Sequence, residues 1–219
     1  MSEVEFIAEI SANHLGSFER AKELVQAAAQ SGATSVKFQT YTPDTMTLDL
    51  PEFAVSDEHA LWGGKNLYSL YSEAYTPWEW HEQIFKVANE EGLICFSSPF
   101  DNTAVDFLEN LNTPAYKIAS FEITDIPLIE YVASKGKPII ISTGIAELED
   151  IELAVETCRK SGNNQIALLK CTSSYPAPIN EANMTMVKDL EKSSNDLILP
   201  TWFYYFLLNF FVLIFRLLI

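Results

Sequence analysis

Six short apolar runs, each followed by a stretch with helical periodicity, constrain this chain more than any other feature. They occupy residues 6–10, 35–39, 93–97, 116–119, 139–142 and 166–170. Each is four or five residues long, the length of a strand buried on both faces. Between them, apolar residues recur every three or four positions, as in Phe18, Ala21, Leu24, Val25 and Ala28, and again in Leu148, Ile151, Val155 and Cys158. Ser17 and Asp101 are candidate N-caps, and Thr76-Pro77 with Glu79 reads as a capping box with proline at the first helical position. Gly32, Gly92, Gly136 and Gly162 each follow a helical pattern, as helix-terminating glycines do.

A series of βα units implies crossovers and a parallel sheet. The two candidates are a (β/α)₈ barrel of the TIM type and an open doubly wound sheet. No strand is followed by G-x-G-x-x-G or G-x-x-x-x-G-K-[ST], so the nucleotide-binding open sheets lose support. Residues 40–75 form a long excursion with little strand character, the kind of βα loop that covers an active site.

The strand ends are polar where a buried strand should still be apolar. The first run carries Glu9, the second Lys37 and Gln39, and the third ends in Ser97-Ser98. The fourth carries Lys117, then Ser120 and Glu122; the fifth ends in Ser142; the sixth carries Lys170 and leads to Ser173 and Tyr175. Active sites of parallel barrels lie at the C-terminal strand ends. Lysines and hydroxyls gathered there would cradle a phosphate and a carboxylate. Taken one at a time, these residues have blander readings. A lone strand-end lysine snorkels to the surface, a lone serine caps a helix, and Glu9 or Glu122 can be half of a core ion pair. His14 reads as a structural hydrogen-bonder, and His59 and His81 as solvated.

Composition narrows the ligands. With 14 Lys plus Arg against 30 Asp plus Glu, the net charge of −16 repels nucleic acid. An anionic substrate therefore needs local cations inside a cleft. Three cysteines without a CxxC pair make neither a zinc site nor a disulfide framework, and the acidic N-terminus is not a signal peptide. These features predict a cytoplasmic location.

The stretches AEISANHLGS, VKFQTYTPDT, TPWEWH, ICFSSPFD, YKIASFEITD, IIISTGIAELED and LLKCTSSYPAP together resemble the sialic acid synthase family, within it most the pseudaminic acid synthases. The resemblance runs over residues 3–190. It implies a (β/α)₈ barrel, a small antifreeze-like domain after it, and a homodimer. The implied reaction condenses phosphoenolpyruvate with an N-acetylated amino sugar to give a nonulosonic acid and phosphate. By position, Lys37, Ser98, Lys117, Ser120, Ser142 and Ser173 match the phosphoenolpyruvate-binding residues, while Gln39 and Tyr175 match sugar contacts. Glu9 matches a sugar contact as well and is counted with Glu122 as catalytic, Glu122 matching the carboxylate that manages protons. The family uses a divalent metal, manganese or magnesium, held by two histidines on the seventh and eighth barrel units.

Beyond residue 190 the pattern departs. The last histidine is His81, so the sequence predicts an incomplete barrel of about six βα units over residues 1–192, without the metal ligands and without the antifreeze-like domain. Residues 193–219 form an apolar tail, read either as a frameshift product or as a helical membrane anchor, whose last 23 residues would span roughly 30 Å. The expectation is an open sheet with strands one and six as its edges, a helix-like tail, and a chain inactive as a synthase. Two other functions stay open: a Schiff-base aldolase using Lys117 or Lys170, and a catalytically dead binding protein.

Overall fold

A computed structural model describes residues 4–55, 63–172, 178–187, 203–207 and 210–216. Six strands, β1 (Val4–Glu9), β2 (Ser35–Thr40), β3 (Ile94–Pro99), β4 (Tyr116–Ile118), β5 (Ile139–Ser142) and β6 (Ile166–Leu169), lie parallel in that order. Each strand pairs with its sequence neighbour, with Glu9 beside Lys37 and Lys117 beside Ile140. A doubly wound sheet reverses its strand order at a switch point; this one never does. The architecture is therefore the singly wound (β/α)₈-barrel type, incomplete at six parallel strands, the first five of which are followed by described α-helices.

Five of its helices run α1 (Phe18–Gln30), α4 (Trp78–Glu90), α5 (Asn102–Asn110), α6 (Ile126–Ser134) and α7 (Leu148–Lys160). Their apolar stripes pack on one face of the sheet. Ala21, Val25 and Ala28 of α1 and Ile84 and Ala88 of α4 meet Val36 and Phe38 of β2. Farther along, Leu128, Ile129 and Val132 of α6 and Ala154, Val155 and Cys158 of α7 meet Tyr116, Ile118, Ile139 and Ile141. Burial of each Val, Leu, Ile or Phe among them stabilises the fold by about 1.5–3 kcal/mol. Ser17 accepts a hydrogen bond from the Arg20 amide and Asp101 from the Thr103 and Ala104 amides, so both cap as the sequence predicts. Gly32 (φ +85°), Gly92, Gly136 and Gly162 adopt the left-handed conformation that ends the preceding helix.

Because side chains alternate along a strand, the face turned away from the helices carries the other set of residues. There Ile7, Phe96, Ile140 and Leu169 form an apolar floor. Glu9, Lys37, Ser98, Lys117 and Ser142 share the same parity and lie toward the C-terminal strand ends. The excursion after β2 folds into two short helices, α2 (Pro43–Met46) and α3 (Leu67–Ala74).

Three expectations are corrected. The tail is not helical in its described part: β7 (Phe203–Leu207) and β8 (Phe210–Arg216) form an antiparallel hairpin. A run apolar on every side fits helix and strand equally by periodicity, and its Phe, Tyr, Val and Ile content favours the strand. β1 is not an open edge, since β8 pairs antiparallel along all of it; the sheet ends at β6 and β7. Thr76 does not cap α4, whose N-cap is Pro77 without a side-chain bond; its hydroxyl lies 3.1 Å from His14 Nε2 instead. Among the described residues, no helix is long and apolar enough to cross a membrane.

Candidate active site

The C-terminal strand ends bring two buried lysines face to face. Lys37, 6% exposed, pairs with the Glu9 carboxylate and lies 3.5 Å from the Ser98 hydroxyl. Lys117, 4% exposed, donates to the Ile118 carbonyl and to the Ser142 hydroxyl. Lys170 donates to Thr172 at 3.1 Å, just beyond β6. Ser120 and Glu122 follow β4 at the same end, where residues 121–124 form a 3₁₀ turn. Gln39 lies on β2 with the parity of Lys37. Ser173 and Tyr175 lie outside the described residues, as does His59.

The electrostatics set these groups apart from ordinary core residues. Burial, aided by the charge of Lys37, pushes the Lys117 ammonium down to about 7. Burial pushes the Glu9 carboxyl up against the opposing pull of Lys37, and it pushes Glu122 up as well. Glu9 Oε1 and Glu122 Oε2 are buried with no hydrogen-bond partner among the described residues. The two lysines and the neighbouring hydroxyls offer donors to an anion, and the unmatched carboxylate oxygens can accept from a donor.

An aromatic wall that the sequence reading missed stands beside them. Tyr41 directly follows β2 and Phe100 directly follows β3, with ring centroids 5.5 Å apart at 84°. Tyr71 of α3 packs edge-on against Tyr41 at 5.7 Å. Burial raises the Tyr71 phenol, and the charge of Glu122 raises it further. The signal was present in the length of the excursion, but nothing local tells which of its residues turns inward.

His81 is another correction: it is fully buried rather than solvated. Its Nδ1 lies 3.2 Å from the Pro77 carbonyl, which can only accept, so Nε2 accepts from Thr40 Oγ1 at 2.9 Å. Thr40 in turn accepts from Ser97, at 2.7 Å. Burial lowers the imidazole to about 4, so it stays neutral. His14 is settled the same way, with Nδ1 accepting from the Gly16 amide and Nε2 donating to Thr76. All four ring nitrogens are thus committed on the helix side of the sheet. Among the described residues, no group of three or more His, Cys, Asp or Glu side chains could hold a metal ion. The described residues do not fit the divalent metal that the resemblance implies.

Comparison with known proteins agrees with this architecture. A model of the NeuB family matches residues 24–198. The pseudaminic acid synthase of Helicobacter pylori is 49% identical over 183 residues, 83% of this chain and 54% of that protein. Its Campylobacter jejuni namesake (serotype O:2) is 44% identical over 189 residues, covering 86% and 55%. The crystal structure of the N-acetylneuraminic acid (sialic acid) synthetase of Leptospira borgpetersenii, in complex with citrate, superposes with a TM-score of 0.77 at 26% identity, over 90% of this chain and 63% of that one. The chain spans about half the length of the curated relatives it matches. From the family match and the fold that carries it, the chain belongs to the NeuB family of sialic-acid-type synthases.

Proposed function

We propose that the polar end of this sheet binds phosphoenolpyruvate for condensation with an N-acetylated amino sugar, giving a nonulosonic acid and phosphate. The observation that carries the reading is the pair of buried lysines, Lys37 and Lys117, flanked by Ser98 and Ser142. Phosphoenolpyruvate carries a carboxylate and a phosphate whose second ionisation falls near pH 6. Two cations and several hydroxyls meet that charge inside a chain of net charge −16. Ser120 and Ser173 complete the anion cradle in this reading, and Gln39 and Tyr175 face the sugar.

The chemistry assigned to these residues is as follows. The C3 carbon of phosphoenolpyruvate forms a bond to the sugar aldehyde carbon, and the aldehyde oxygen takes a proton. The enol-ether carbon is left electron-poor, and the phosphate and carboxylate held by Lys37 and Lys117 limit the charge that builds there. Water adds to that carbon and gives its proton to a carboxylate. Glu122 suits this step, because burial raises its pKa and one oxygen has no partner. The C–O bond to phosphate then breaks as the new hydroxyl loses its proton, leaving the keto acid and hydrogen phosphate; the two protons of water balance the one on the former aldehyde oxygen and the one on phosphate. Glu9, paired with Lys37, orients that lysine.

In this reading the 219-residue chain binds phosphoenolpyruvate and, with six parallel strands in place of a barrel's eight, is expected to release no phosphate from it. Calorimetric titration with phosphoenolpyruvate, alongside a phosphate-release assay with manganese and N-acetylated sugars, tests both halves. Absence of phosphoenolpyruvate binding would remove the reading. Turnover lost on Glu122→Gln would keep the synthase chemistry and overturn the expected inactivity.

A further inference from the structure

We propose that Lys117 forms an imine with the C2 carbonyl of a 2-oxo acid, so that the inner face takes pyruvate-type acids covalently where it takes phosphoenolpyruvate by charge. This rests on the reading of the strand ends as an anion site and adds an activity that the condensation does not require.

The three buried lysines differ in what they touch. Lys37 is held by the Glu9 carboxylate, whereas Lys117 and Lys170 have no ion pair among the described residues. Lys117 donates only to neutral acceptors, the Ile118 carbonyl and the Ser142 hydroxyl. A lysine paired with a carboxylate stays ionised and binds; a lysine buried among neutral partners can give up its proton and attack a carbonyl. Burial and the charge of Lys37 push the Lys117 ammonium down to about 7, so near neutral pH a share of free chains carries the amine. Position separates Lys117 from Lys170. β4 lies inside the sheet between β3 and β5, while Lys170 follows the edge strand β6 and donates to Thr172.

The neighbours supply the rest. Ser97 pairs with Tyr116, so the residues that follow, Ser98 and Lys117, are adjacent on the inner face. Ser98 also lies 3.5 Å from Lys37 Nζ. A carboxylate held by Lys37 and Ser98 thus brings the C2 carbonyl attached to it beside Lys117. The neutral amine adds to C2, and one amine hydrogen passes to the carbonyl oxygen. The Ser142 hydroxyl, bonded to Nζ, is placed to relay it. The C–O bond of the carbinolamine then breaks, and the hydroxyl leaves with the second amine hydrogen as water. Each imine releases one water and needs no redox partner. Phosphoenolpyruvate has no free C2 carbonyl, so it fills the same place without forming this bond.

The experiment incubates the full chain with pyruvate and sodium borohydride and locates the reduced adduct by peptide mass analysis. One reduced pyruvyl group per chain is expected, on Lys117. Acetone, which lacks the carboxylate, should label the chain about tenfold less. Phosphoenolpyruvate at about ten times its Kd should slow labelling by pyruvate about tenfold. Lys117→Arg keeps a cation and should take no label, with a thermal melt to show that it is folded. No adduct on the wild-type chain overturns the proposal, as does label on Lys170, label spread over exposed lysines, or equal labelling by acetone and pyruvate. Calorimetric titration with phosphoenolpyruvate separates this from the synthase reading. A chain that binds phosphoenolpyruvate and gives no adduct loses the imine alone; a chain labelled at Lys117 that binds no phosphoenolpyruvate keeps the imine and loses the synthase reading.

Discussion

The two faces of this sheet bury polar groups in opposite ways. On the helix face, Ser97, Thr40, His81 and the Pro77 carbonyl form a chain in which every proton is assigned and every group is neutral. On the inner face, Lys37 and Lys117 lie side by side with Glu9 and Glu122, and two carboxylate oxygens have no partner. Burial is similar: His81 is 0% exposed and Lys117 is 4% exposed. The difference lies in satisfaction and charge. A neutral, saturated chain stabilises a fold by itself, whereas a charged, unsaturated cluster costs stability until a ligand completes it. The contrast, more than any single residue, marks the inner face as the site.

The largest effect should come from emptying the inner face of charge. Lys117→Met is expected to weaken phosphoenolpyruvate binding at least 100-fold, about 3 kcal/mol, because an anionic oxygen loses its buried cation. The same variant should melt at a higher temperature than wild type, since it relieves a buried cation beside Lys37. Titration calorimetry and thermal melts read the two signs. A simultaneous loss of stability would make Lys117 a structural residue and erase the contrast.

The helix face should respond to pH instead. The His81 imidazole titrates near 4 in the fold against 6.5 when exposed, so the unfolded chain binds more protons between those values. Stability is then full above pH 6.5 and falls as pH drops toward 4, by up to about 3 kcal/mol. Urea unfolding at pH 7 and pH 5 should show the drop, and His81→Asn should flatten it. A smaller cost follows from Thr40→Val, which strands the Ser97 hydroxyl and His81 Nε2. About 2 kcal/mol of stability should be lost, with phosphoenolpyruvate affinity unchanged within twofold. The mildest test is Ser142→Ala, which should weaken phosphoenolpyruvate about fivefold, about 1 kcal/mol, and leave the melting temperature nearly as it was.

The sequence shows the inner face more readily than the outer one. Lys37 and Lys117 inside apolar runs violate the pattern of a buried strand, and such violations are legible without a structure. Strand positions were readable to within two residues for the same reason, because short β-rich runs are bounded by turns. His81 was misread because it was judged as a lone residue after a loop. Its spacing with Ile84 and Ala88, which share its buried stripe, is the signal that would have found it. Thr76 fits a local capping rule, and only the tertiary partner His14 overrides that rule. The packing of Tyr71 against Tyr41 has no local signature at all, since it depends on where a long excursion lands. The hairpin of residues 203–216 was lost to periodicity, which says nothing in a run that is apolar throughout.

The central claim is that a trianionic ligand completes the lysine pair, and proton uptake on binding reads it most directly. In the free chain Lys117 loses its proton near pH 7, and an adjacent anion should return it. At pH 8 phosphoenolpyruvate is already fully ionised, so the ligand contributes no proton change of its own. Calorimetric titration at pH 8 in two buffers of different ionisation enthalpy should show binding with net proton uptake, weakening as pH rises further and disappearing in Lys117→Met. Binding without proton uptake that survives in Lys117→Met would contradict the account.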